Sequence, residues 1–180
     1  MVETNRDLPA THRQRWMLYI LTKDKQWWDI KLTMSEASRE IAAAKTQVEA
    51  CKRDKVANFQ ALFKTAQDAG LEAMLKTIPT PIVVEQHKNQ LDDNSPVEQS
   101  WFVSDGVCGF AWITVRPGNS SFARWLVKMK YGKVDGYSGG VTIWIREGRQ
   151  SMQLKEAYAR AMTEVLRQAD IRAYAHSRID

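Results

Sequence analysis

Two prolines, Pro79 and Pro81, separate stretches of this chain whose apolar residues repeat with different periods. Upstream, Ala37, Ile41, Ala44, Val48 and Cys51, then Val56, Phe59, Leu62 or Phe63, and Ala66, recur three to five residues apart, the spacing of one helix face. Downstream, Ile82-Val83-Val84-Glu85, Trp101-Phe102-Val103, Phe110 to Val115, Val141 to Ile145 and Ile171 to Ala175 are short β-branched and aromatic runs, the composition of strands. A helical stripe cannot bury one face as a strand, nor a strand pattern as a helix. The chain is therefore predicted to be α+β, with a helical region over 1–78 and an α+β domain over 79–180 of order β-β-β-α-β-α-β. Its sheet is expected to be mixed or antiparallel with the helices on one face. Pattern alone leaves open whether the N-terminal helices form a separate domain or lie against that sheet.

Local signals place the element ends. Thr11 with Gln14, and Thr33 with Glu36, have capping-box spacing. The stripe that follows Thr33 reads as one long helix, or as two broken near Lys52-Arg53-Asp54-Lys55, with Gly70 as its stop and a short piece from Leu71 to Thr77 beyond. Asn89 to Pro96 is turn material, and Asp105-Gly106 between apolar runs predicts a hairpin that opens the C-terminal sheet. Phe122, Trp125, Leu126 and Met129 mark an amphipathic helix after the Arg116–Ser120 loop. A last helix, capped by Ser151, carries Leu154, Ala157, Tyr158, Ala161, Met162 and Val165 on one face.

Composition excludes several classes. No run approaches the roughly 20 apolar residues that span a bilayer, and the first seven residues lack a secretory apolar segment. Two distant cysteines, Cys51 and Cys108, point to reduced thiols in a cytoplasmic protein. The cysteines and the three histidines His12, His87 and His176 show no metal-ligand spacing, and Asp92-Asp93 reads as a polar loop. Gly136-Tyr137-Ser138-Gly139-Gly140 lacks the Lys-Ser/Thr of a phosphate loop and reads as a flexible link into a strand. No metal, cofactor or catalytic residue is assigned. The net charge of +5, concentrated after residue 95, permits nucleic-acid contact.

Two groups of residues are candidate sites. Arg124, Lys128, Lys130 and Lys133 lie on or just after one helix with Tyr131 and Tyr137 nearby, a mixture suited to phosphate contact and base stacking. Cys108, beside Gly106 and Gly109, could act as a nucleophile given a base or pack as a small apolar residue at the start of an inner strand. Ser177, Arg178 and Asp180 could bind an anion or anchor the end of the chain. Of the seven tryptophans, Trp16, Trp125 and Trp144 are expected in the core. Trp27-Trp28 is expected to dock the helical segment against the sheet, or to form a binding surface.

Asp105-Gly106-Val107-Cys108-Gly109-Phe110-Ala111-Trp112, Lys155-Glu156-Ala157-Tyr158-Ala159 and Ala173-Tyr174-Ala175 with Ser177-Arg178-Ile179-Asp180 together resemble a group of small proteins of tailed bacteriophages and prophages. Thr11-x-x-Gln14 with Leu32-Thr33-x-x-Glu36-Ala37-Ser38-x-x-Ile41 is similar to a short helical module of phage and DNA-metabolism proteins. The resemblance implies a phage protein acting in the cytoplasm of a host bacterium. The expected function is non-enzymatic binding of nucleic acid or a host nucleoprotein complex, as a host-defence inhibitor such as an anti-CRISPR protein. The alternatives are an enzyme or small-ligand binder built on Cys108 and the C-terminal group, and a minor virion component.

Overall fold

A computed structural model describes residues 8–92, 94–137 and 139–180; residues 1–7, Asp93 of the acidic pair and Ser138 of the glycine-rich segment lie outside the described residues. The fold is α+β, with antiparallel sheets. The chain divides into two compact units, Met1–Asn58 and Phe59–Asp180, and the division falls within its longest helix.

The first unit holds α1 (His12–Thr22), a 3-10 turn at Lys25–Trp28 and the start of α2 (Met34–Lys76). Both capping boxes form. Thr11 Oγ1 accepts from the Gln14 N–H at 3.2 Å, and Glu36 Oε2 accepts from the Thr33 N–H at 2.8 Å. The Thr33 N–H and then its hydroxyl, both donating to Glu36, hold that carboxyl below its ordinary pKa. Leu18 and Ala37 are fully buried, with Trp27 and Ile41 packed against them. Trp27 thus joins elements within this unit, its indole N–H donating to Thr22 Oγ1 at 2.8 Å. Trp16, expected in the core, is instead exposed, and its ring lies 6.4 Å from that of Trp28.

In the second unit, α2 ends at Lys76 and is followed by β1 (Ile82–His87) and β2 (Val97–Val103), then β3 (Gly109–Arg116), α3 (Ser121–Lys128), β4 (Lys133–Asp135), β5 (Gly140–Trp144), α4 (Met152–Gln168) and β6 (Arg172–Ile179). Among the described residues β1 and β2 pair only with each other; the other strands form one sheet in the order β4-β5-β3-β6. The anticipated hairpin between the runs flanking Asp105-Gly106 does not form. A tight two-residue hairpin of the I′ type needs positive φ at both central residues, and here only Gly106 has it, at 72°. Residues 107–109 pair instead with the segment before α4: the Gly109 N–H donates to Gln150 O and the Met152 N–H to Val107 O. The strand that follows is drawn away from β2.

α2 is one helix, unbroken at Lys52–Lys55, and it passes through Gly70 where a stop was expected. The glycine serves packing: a Cβ there would stand 2.8 Å from the Tyr158 ring. At the end of the glycine-rich link Gly140 opens β5, and Gly140–Thr142 pairs with Lys133–Asp135. On one sheet face Ala111, Ile113, Val115, Val141, Ile143 and Ala173 meet Phe63 and Ala66 of α2, Phe122, Trp125 and Leu126 of α3, and Met162 and Leu166 of α4. α4 is rotated from the predicted face, burying Lys155, Tyr158, Ala159, Met162, Thr163 and Leu166.

Gly70→Ala should reverse the usual helix propensity, in which alanine is about 1 kcal/mol better than glycine. Tyr158 is buried and cannot move aside, so the added methyl should destabilise the protein by about 1–3 kcal/mol, read as a lower midpoint in urea denaturation.

Candidate nucleic-acid interface

The helices cover one face of the four-stranded sheet, and the residues between the core positions of each strand project from the other. On β3 these are Phe110, Trp112, Thr114 and Arg116; Trp112 pairs with Trp144 of β5 and His176 of β6, Phe110 with Arg178, and Arg116 with Arg172. Four rings form a line across the strands. Phe110 to Trp144 is 6.3 Å, Trp144 to Trp112 is 5.1 Å, and Trp112 to His176 is 5.5 Å with the planes 20° apart. Trp144 is 48% exposed and Tyr174 42%, so large aromatic surface faces solvent here. Trp144 was expected in the core; alternation along β5 puts Val141 and Ile143 there and turns Trp144 outward.

Charge surrounds the rings. Arg116, Arg172 and Arg178 are exposed, and none joins a salt bridge among the described residues. Arg178 lies 5.5 Å from the Phe110 ring centroid, and Arg167 of α4 lies 5.5 Å from that of Tyr174. Unpaired guanidinium groups beside half-exposed rings are equipped to neutralise an anion whose attached group stacks.

Phe110 and Trp144 also border a cleft of about 650 Å³ at the outer edge of β5. The cleft exists because β4 is three residues long and pairs with β5 no further than Thr142. Lys130, Lys133, Arg146 and Lys155 line it with a single carboxylate, Glu147. Tyr131 forms part of its wall and is stacked on Phe63 at 4.5 Å. Tyr158, also in the wall, has its pKa pushed up from 10.0 to about 12, first by burial and then by the carboxylates of Glu147 and Asp68.

The basic cluster of the sequence is therefore divided. Lys130, Tyr131 and Lys133 come together at the cleft. Arg124 and Lys128 stand on the exposed side of α3, in the helical layer, and Tyr137 is fully exposed in the β4–β5 turn. The ends of the other group also meet, as the Asp180 N–H donates to Cys108 O at 3.2 Å. Ser177 and Arg178, neighbours on a strand, point to opposite faces, so these side chains do not converge. Cys108 is exposed and not a core residue, and its thiol contacts Gln150 Oε1 at 3.4 Å. An amide cannot take up the proton that a nucleophilic thiol must lose. Among the described residues no three His, Cys, Asp or Glu side chains cluster as metal ligands, and no helix is long and apolar enough to cross a membrane. No known protein family, characterised protein or solved structure matches this chain.

Sequence reading missed the aromatic face and Lys155. The face was visible only as alternation in Phe110-Ala111-Trp112-Ile113 and Ile143-Trp144, and its signal was that both of these tryptophans alternate with small or branched core residues. Tyr158 yields a pH test. Because its folded pKa is raised, the stability it supports is intact below pH 10 and lost as pH rises toward about 12. The unfolding midpoint should fall over that window, and Tyr158→Phe should flatten the fall.

Proposed function

We propose that the protein binds single-stranded nucleic acid on the open face of its four-stranded sheet. The observation that carries this reading is the line Phe110–Trp144–Trp112–His176 beside the exposed Arg116, Arg172 and Arg178, which join no salt bridge among the described residues. Every base has a π-face, so a row of partly exposed rings accepts unstacked bases with little regard to sequence. Arginines at both ends of the row meet the backbone phosphates. A duplex keeps its bases stacked on one another and offers the rings nothing comparable. In a phage-encoded protein, as the resemblance implies, such binding would act in an infected bacterium, by competing with a host nucleoprotein for its strand.

Fluorescence anisotropy with labelled single-stranded DNA and RNA at low salt tests the proposal. Trp112→Ala and Trp144→Ala should each weaken binding by about 1–3 kcal/mol. Arg172→Ala and Arg178→Ala should each reduce the slope of log affinity against log salt by about 0.7. Wild-type protein that binds no strand at low salt would refute the reading. Losses confined to Arg124→Ala and Lys128→Ala would move the interface to α3.

A further inference from the structure

We infer that the cleft beside β5 is a binding site for a phosphate monoester. The starting point is Lys155. Its side chain sits in the core-facing stripe of α4 and is only 8% exposed, yet among the described residues its ammonium has one hydrogen-bond acceptor, Gly109 O at 2.9 Å, with the Phe110 ring 5.5 Å away. An ammonium carries three donors, and a buried cation is costly unless an anion or a full set of acceptors faces it. No carboxylate pairs with Lys155 among the described residues. Two of its donor positions are therefore unused in the wall of an open cleft.

A second observation is independent of charge: the backbone adds a donor at the strand edge. The Ile145 N–H points inward to Ala111 O on β3 at 3.1 Å. The Trp144 N–H, one residue earlier on the strand, therefore points to the edge that β4 leaves open.

The remaining charges select an anion of this kind. Lys130, Lys133 and Arg146 surround the cleft. Its one carboxylate, Glu147, accepts the Arg146 N–H at 3.0 Å and is outnumbered by the cations around it. Tyr158 keeps its proton over the physiological range and so acts as a further donor. A dianionic phosphate with several acceptor oxygens matches these groups better than a single carboxylate would, and the rings of Phe110 and Trp144 offer a stacking surface for an attached base. The phosphate could be that of a free mononucleotide or the terminal phosphate of a strand. The inference does not need strand binding on the sheet face.

Titration of the full-length protein with adenosine 5′-monophosphate, followed by calorimetry, tests it, with adenosine as the phosphate-free control. Adenosine monophosphate should bind and adenosine should not. Lys155→Met, which keeps the volume, should weaken binding by about 10- to 100-fold, the loss expected of a hydrogen bond to a charged group. Arg146→Ala and Lys130→Ala, at exposed positions that leave the core intact, should each weaken it by a smaller factor. Equal binding of adenosine, no binding of the monophosphate, or full affinity in all three variants would overturn the proposal. Comparing 5′-phosphorylated with 5′-hydroxyl oligonucleotides separates the two sources. Tighter binding of the phosphorylated strand, abolished by Lys155→Met, assigns the site to strand ends; no difference, with the monophosphate still bound, assigns it to free nucleotide. Failure of strand binding alone leaves the monophosphate result standing, and the converse also holds.

Discussion

Everything in the second unit depends on apolar cover being supplied to one side of its sheet. Ile113, Val115, Val141 and Leu166 are fully buried, and with Phe63, Leu126 and Met162 they form one continuous core between the sheet and three helical segments. Burial of such side chains, each worth about 1.5–3 kcal/mol, fixes which strand positions point inward. Alternation then obliges the intervening residues to point outward. Trp112, Trp144, Tyr174 and His176 are where they are because Ala111, Ile113, Ile143, Ala173 and Ala175 are where they are.

The cleft arises from a second constraint, the ending of β4. Its three residues satisfy β5 at Gly140–Thr142 and then stop, leaving the rest of that edge open. Sheet edges are commonly blunted by charge, and here Lys130, Lys133 and Arg146 gather at it. Gly132 lets the chain pass closely, since a Cβ there would stand 2.6 Å from Val141 Cγ1. α4 closes the opposite wall with Lys155 and Tyr158, one turn apart. A cationic stripe residue facing an open edge is the arrangement on which both the charge of the cleft and its unsatisfied donors rest.

Features governed by residues three or four apart were legible in the chain. The boxes at Thr11–Gln14 and Thr33–Glu36 were readable because their hydrogen bonds close within one helical turn, and the Phe122–Leu126 face because helical period is a local property. Gly70 misled: glycine ends helices often enough, but this one is small because Tyr158, 88 positions along the chain, abuts it. Asp105-Gly106 misled in the same way. Its turn chemistry is real at Gly106, yet the pairing of residues 107–109 with the segment before α4 governs where the next strand goes. For the site, the basic residues at 130 and 133 and the tyrosine at 131 could be picked out by type, whereas nothing local singles out Lys155, since a lone lysine in a helix is usually exposed.

The order of amino acids thus determined the fold class, the helix starts and the alternation of the strands, since each depends on neighbours a few residues away. Strand order, the separation of β1–β2 from the main sheet, the rotation of α4 and the meeting of Lys155 with the edge of β5 were decided by tertiary structure. Those depend on which distant surfaces exclude water together, and no short window of sequence carries that information.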